Sequence, residues 1–407
     1  MNIGYYAHHH GSGHCRQVDK LASLLPLDKR SHITVFTSVT SDSYCFKSIP
    51  ESQVIRLSAE DELSTDVLPG RAGDYWQPSC LHYSPVGNSD IQDRSHQLLT
   101  TIYQRKIELM IIDVSVEVAM LCRATSIPYL YVRLPGSRED LPHITAFSGA
   151  LGLLAPYPQA LDSADIPKWL RQKTLYLDFV NFEKSDELAN TGTYNDFLQS
   201  LISMPSPNNN NESQSLENRP IVTVIKGYGG HEAIDDKLPR LRQLLPNAFI
   251  ISLGPIMEDV RCYVDMATHV DDVMPFIEHS DCLFMACGLN AVAQVYNHNT
   301  PLVVLPDQRP HQEQEVMAKA LVTDGRAMDW HQFEELALAV ESSTEVTTAL
   351  GLNTSNSVSR PDEVCDHSST ASCARELMQS TVDFKGVKPW FEQWLLTRLS
   401  LRPTYSS

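Results

Sequence analysis

Twice along the chain, short apolar runs of strand length alternate with segments whose apolar residues recur at helix period, and a polar stretch separates the two series. That alternation is the pattern of parallel sheets covered by helices on both faces. In the first series "NIGYYA", "HITVFT", "LMIID" and "PYLYVRL" read as strands, and "CRQVDKLASLL" places Val18, Leu21, Ala22 and Leu25 on one helical face. "VSVEVAMLCRATS" reads as a helix between the last two strands. In the second series "IVTVIKG", "AFIISLG", "CLFMAC" and "LVVLP" read as strands. Helices are expected near residues 233–245, around "DVMPFIEHS", over "NAVAQVYNH" and from Gln312 onward.

A chain of 407 residues exceeds what one hydrophobic core usually organises, so two domains are the default. The stretch from Ser203 to Pro220, "SMPSPNNNNESQSLENRP", is rich in Asn, Ser and Pro with almost no apolar content, which is the composition of a linker. The expected division is a first α/β domain over 1–203, a linker over 204–219, a second α/β domain over 220–386, and a C-terminal helix and tail over 387–407. Asn353 to Ser372 forms a polar excursion within the second domain. In the terminal helix Trp390, Trp394 and Leu395 make an aromatic stripe. Packing against a domain accounts for it; little basic charge flanks it, which speaks against a foothold on a membrane surface.

With 32 basic and 50 acidic side chains the formal net charge is −18, which repels phosphate backbones and argues against nucleic acid as a partner. Nine cysteines without a CxxC spacing point to reduced thiols rather than a disulfide frame. The first residues lack a basic region followed by an apolar one, so they do not read as a secretory signal. No stretch approaches the roughly 20 apolar residues a membrane helix needs. A cytoplasmic protein is expected.

Glycines placed just after a strand and before a helix leave helix amides bare, and those amides bind phosphate. The chain does this twice, in "HGSGHCRQ" after the first strand of the first series and in "KGYGGHEAID" after the first strand of the second. Gly11 and Gly13 begin a GxG pattern, but Arg16 stands where a dinucleotide fingerprint needs its third glycine, and no P-loop motif occurs. Tight strand-to-helix turns also need glycine for backbone reasons alone. Ligands of open α/β sheets sit beyond the carboxyl ends of the strands, so two opposed domains would turn both loops toward one cleft.

Residues His269 to Leu321, "HVDDVMPFIEHSDCLFMACGLNAVAQVYNHNTPLVVLPDQRPHQEQEVMAKAL", resemble the donor-binding half of the GT-B glycosyltransferases, especially the MurG-like group with a glycosyltransferase family 28 C-terminal domain. The resemblance implies two facing Rossmann-like, doubly wound domains with a C-terminal helix. It implies a nucleoside-diphosphate sugar, usually a UDP sugar, held by the second domain, and an acceptor presented by the first. On the matching positions, Gly227, Gly229 and Gly230 form the family's glycine loop, and Gly288 opens the helix under the diphosphate. Val270 lies near where the base is read, and Gln312 with Gln314 reaches the donor sugar. Where the family carries a glutamate for the ribose hydroxyls this chain has Gln294, which can hydrogen-bond but lacks the charge.

Sugar transfer with inversion needs a base, because the acceptor oxygen must lose a proton as it attacks the anomeric carbon. Histidine suits that task near neutral pH. His14, in "GSGH", matches the histidine of the family's N-terminal glycine loop and is the expected base, with His10 as runner-up; capping or packing of the first helix is the plain alternative. His10 and His14 stand four apart, but Gly11 and Gly13 break the helix that a metal-binding pair would need, so no metal is expected there. Asp113 ends the strand "LMIID" at the rim where His14 is expected. It either orients a histidine or binds an acceptor hydroxyl, or it caps the next helix. Arg133 and Arg138, in "RLPGSRED", follow another strand; they either meet an acidic or phosphorylated acceptor or, as is expected, form a solvated loop. Tyr75, Trp76 and Tyr83 could stack on a sugar or fill a lid.

The expected activity is transfer of a hexose or N-acetylhexosamine from a UDP sugar to an acceptor hydroxyl, without a resident cofactor and without a metal. The acceptor is a glycan, a glycolipid or a small molecule, and a glycolipid acceptor would bring a peripheral contact with the inner membrane face. Two alternatives stand beside it: a sugar-nucleotide epimerase of the same fold, and a nucleotide-sugar-binding protein without turnover. The sequence leaves the oligomeric state open.

Overall fold

The computed structural model describes residues 2–8, 12–23, 26–58, 78–84, 86–180, 193–203, 219–226 and 232–341. His10, Gly11, Leu25, Tyr75, Trp76, Gly227, Gly229 and Gly230 lie outside the described residues, as do segment 204–218 and the expected C-terminal helix.

The first sheet contains β1 (Asn2–Ala7), β2 (Ile33–Thr37), β3 (Val54–Arg56), β4 (Ile107–Asp113), β5 (Tyr129–Val132), β6 (Gly152–Ala155) and β7 (Thr174–Tyr176). All pairings are parallel, in the order β3-β2-β1-β4-β5-β6-β7. Its helices include α1 (Gly13–Ser23), α2 (Ser89–Gln104), α3 (Val116–Ala124) and α4 (Leu141–Gly149), followed by α5 (Tyr194–Ser203). Period-two alternation decides which helix each strand residue meets. Ile3, Tyr5 and Ala7 pack with Cys15, Val18, Leu21 and Ala22 of α1. Tyr6, on the opposite face, packs with Leu98 and Ile102 of α2 and with Val116 and Ala119 of α3.

The second half repeats the plan with β8 (Ile221–Ile225), α6 (Leu238–Leu244), β9 (Phe249–Leu253), β10 (Met266–Thr268), α7 (Met274–His279), β11 (Cys282–Met285), α8 (Leu289–Val295), β12 (Leu302–Val304), α9 (Glu313–Thr323), β13 (Met328–Asp329) and α10 (Trp330–Glu341). Its six parallel strands run β10-β9-β8-β11-β12-β13. Val222 and Val224 face α6 and Phe333 of α10, whereas Ile221 and Ile225 face α7, α8 and α9. The helix expected over 233–245 is broken: a short turn over Glu232–Asp235 ends before α6, whose second residue is Pro239. Proline lacks the N–H that a continuing helix would use and suits a new first turn.

One apolar cluster joins the two halves. Leu134, Tyr157, Leu161 and Phe179, with Phe197, Leu198 and Leu201 of α5, are buried together with Phe276, Ile277, Leu289 and Met317 of the second half. The rings of Phe197 and Phe276 meet edge to face at 5.3 Å. A fully buried side chain of this kind contributes roughly 1.5–3 kcal/mol, so the seam fixes how the strand ends of the two sheets approach. The seven cysteines among the described residues are free thiols. Among the described residues no helix is long and apolar enough to cross a membrane.

Candidate active site

Strand order reverses between β1 and β4, and that switch point is where an open α/β sheet leaves a crevice at its carboxyl edge. His14 lies in the first turn of α1, just after β1, and Asp113 is the last residue of β4. Neighbouring strands thus deliver both side chains to one place: His14 Nδ1 is 2.8 Å from Asp113 Oδ2. The Asp113 side chain is only 1% exposed, and its Oδ1 has no hydrogen-bond partner among the described residues.

A strained turn sets the direction of Asp113. Val114 has φ +70°, unusual for a β-branched residue, and the Ser115 N–H donates to the Asp113 carbonyl at 3.0 Å across a γ-turn. The Tyr131 hydroxyl donates to the Val114 carbonyl and holds the turn. Ser115 itself caps α3, accepting from the Val118 N–H at 3.2 Å. That assignment overturns the capping alternative for Asp113, whose carboxylate is left for His14.

Burial works against a proton on His14, but the Asp113 charge and hydrogen bond outweigh it and raise the imidazole above its ordinary value. Glu313, the first residue of α9, acts in the same direction, and Arg138 acts against it. Glu313 is itself raised by burial and pulled down by Arg138 and His14. The Arg138 guanidinium stands 3.4 Å from the Glu313 carboxylate, an ion pair that links the two halves beside His14. Gly13 is close to the second half as well, since a Cβ there would lie 3.2 Å from Asn290 Nδ2 on α8. The His8 ring meets His14 edge-on at 5.5 Å.

The second sheet has its own switch point between β8 and β11. Lys226 follows β8 and is tied to Asp235 at 2.5 Å, with both side chains 0% exposed. Gly288 follows β11 and caps α8. Its φ of −69° suits any residue, and a Cβ there would meet none of the described residues within 4 Å, so neither the backbone nor their packing demands glycine. Gln294 is exposed on α8, and Val270 is half-buried between β10 and α7. Gln312 is exposed, with φ +55°, and lines a cavity of about 680 Å³ between the halves. Gln314 is buried, and its Oε1 accepts from the Asp307 N–H at 2.9 Å. One acceptor atom of the two glutamines is thus committed to the loop after β12.

The solvated-loop expectation for Arg133 and Arg138 is corrected. Arg133 is 1% exposed and bound by Asp162, with the Tyr176 hydroxyl donating to the same carboxylate at 2.6 Å. Arg138 is 6% exposed, between His143 and Glu313. Sequence reasoning also passed over Glu313, Asn290 and Lys226. Glu313, placed between Gln312 and Gln314, was the one with a local signal.

No protein-family model matches the chain, nor does any curated protein. Solved structures do. The spinosyn forosaminyltransferase SpnP aligns with TM-score 0.53 at 12% identity, covering 98% of this chain and 100% of its own. A UDP-glucose:anthocyanidin 3-O-glucosyltransferase in complex with UDP aligns with TM-score 0.52 at 11% identity over 98% of each chain. MurG from Acinetobacter baumannii aligns with TM-score 0.52 at 11% identity, over 86% of this chain and 92% of its own. Two parallel sheets, one in each half, with these structures as neighbours, give the chain the GT-B fold.

Proposed function

We propose that the protein is an inverting glycosyltransferase that moves a hexose or N-acetylhexosamine from a UDP sugar to an acceptor hydroxyl. The observation that carries this reading is the His14–Asp113 pair, 2.8 Å apart at the switch point of the first sheet and facing the second half. With Nδ1 engaged by Asp113, Nε2 is the ring nitrogen left to accept a proton from the acceptor oxygen as it attacks the anomeric carbon. Asp113 orients the ring and stabilises the imidazolium that results. The bond from that carbon to the diphosphate breaks, and UDP leaves with the electron pair.

On this reading the donor lies at the carboxyl edge of the second sheet. Gly288, with no described residue within 4 Å of a Cβ built on it, leaves room for a diphosphate beside the start of α8. Gly13 faces the same cleft, Val270 borders the base, and Gln294 reaches the ribose. Gln312 and the amide nitrogen of Gln314 reach the sugar. Loop amides meet the leaving-group charge without a metal or a further cofactor. The acceptor is a glycan, a glycolipid or a small molecule, and the expected location is the cytoplasm. The UDP bound in the anthocyanidin glucosyltransferase structure supports the choice of donor nucleotide.

Incubation with a panel of UDP sugars, with and without acceptor extracts, tests the reading by UDP release and product mass. Release that depends on His14 supports it. A second reading, a nucleotide-sugar-binding protein without turnover, rests on Gln294 in place of a carboxylate; UDP binding without release from any donor would favour it.

A further inference from the structure

We propose that His82, Asp140 and His311 form a binding site for one divalent cation of the zinc type, clasping the two halves of the chain. Four donor groups, from His82, Asp140, His143 and His311, lie within 4.8 Å of one another. His82 Nε2 is 3.0 Å from Asp140 Oδ1, and His311 Nδ1 is 3.7 Å from Asp140 Oδ2. Ligands bonded at about 2.1 Å around a tetrahedral ion stand about 3.4 Å apart, and the two distances, one to each Asp140 oxygen, lie on either side of that value. Two imidazoles and a carboxylate suit zinc, cobalt or nickel better than magnesium or calcium.

His143 completes the site without needing to bind the ion. Its Nδ1–H donates to Asp140 Oδ2 at 2.7 Å, and its Nε2 accepts from Arg138 at 3.1 Å. Arg138 thus fixes the tautomer, and His143, 1% exposed, orients the carboxylate, as partners behind a metal ligand do. Arg138's charge is offset by Glu313 on its other side.

Each ligand is anchored by its backbone. The N–H groups of His82 and Tyr83 donate to Glu117 Oε1 on α3 at 2.8 and 3.0 Å. Asp140 caps α4, accepting from the His143 N–H at 3.1 Å. His311 has φ +60° and Gln312 φ +55°, two successive left-handed residues without glycine. The His311 carbonyl accepts from the Ser137 N–H at 2.7 Å, and a Cβ on Gly136 would lie 2.4 Å from that oxygen. Strain of this kind gathers at ligand clamps. At 3.7 Å from Asp140 the His311 ring is out of hydrogen-bond range, so a hydrogen-bond network leaves its convergence unexplained.

The test uses the full chain stripped with a chelator, then titrated with Co2+ by visible absorption and with Zn2+ by calorimetry. One ion per chain is expected, with Co2+ d–d bands abolished by Zn2+. His82→Ala and His311→Ala should each weaken binding more than 100-fold, and His143→Gln by about 10–100-fold. His331→Ala, at an exposed histidine on α10, should leave it unchanged. His82 and His311 are about a third exposed, so their variants should keep the wild-type circular dichroism. No binding by the wild type, or affinities in both alanine variants within threefold of it, overturns the proposal. Binding is read without any sugar donor, so its failure is distinct from failure of the transferase reading.

Discussion

Replacing Asp235 by Ala strands a buried cation just after β8. Lys226 and Asp235 are 2.5 Å apart with both side chains 0% exposed, and Asp235 Oδ2 also accepts from the Met257 N–H at 2.9 Å. Removing one partner of a buried pair costs roughly 3–5 kcal/mol, because the other charge stays buried and unpaired. The orphaned Met257 N–H adds about 1–3 kcal/mol. Lys226 can escape by losing its proton, a loss burial already favours. In the variant the unfolded chain then binds more protons than the folded one, so the deficit shrinks as pH rises. Lys226→Met combined with Asp235→Ala leaves no charge to bury and should recover most of the loss. Urea unfolding followed by circular dichroism reads this directly: with a slope of about 2–3 kcal/mol per molar, the single variant should lower the midpoint by more than about 1 M. A single-variant loss under about 1 kcal/mol, or a double variant no more stable than the single, would refute the reasoning.

Other outcomes follow from the same geometry. His14→Ala should cut donor turnover by about 10²–10⁴-fold while leaving UDP affinity unchanged, measured by product release and calorimetry. The His14 proton is held more tightly in the fold than in the unfolded chain, so its stabilising effect is full below the unfolded value and is lost as pH rises through the raised one. Turnover should therefore climb with pH through a midpoint above the ordinary histidine value, and Asp113→Asn should move that midpoint down in a pH–rate profile. Gly136→Ala forces a side chain to φ +110° and against the His311 carbonyl. It should cost at least about 1–3 kcal/mol, visible as a melting temperature lower by several degrees.

Most strands were legible because buried parallel strands are continuous apolar runs, as in "LMIID" and "IVTVI". The ones passed over, β3, β6, β7, β10 and β13, have two to four residues each and lie at or near sheet edges, where pattern is too short to stand out. His14 and Asp113 were placed at one rim because each follows or ends a strong strand. Their 2.8 Å contact depends on strand order, which periodicity does not carry. Arg133 reads locally as loop, yet its partner Asp162 arrives 29 residues later and buries both. The histidine cluster draws on positions 82, 140, 143 and 311, and only the docking of the two halves assembles it.

The central claim is that the second half holds a nucleoside-diphosphate sugar. Calorimetric titration of the purified protein with UDP, with ADP, GDP and NAD as controls and with Gly288→Trp in parallel, tests it most directly. A side chain at position 288 starts in open space, so Trp there should fill the proposed diphosphate site without disturbing the core. The account expects UDP to bind selectively and the variant to lose that binding. Absence of binding by every nucleotide, or equal UDP binding by Gly288→Trp, would contradict it.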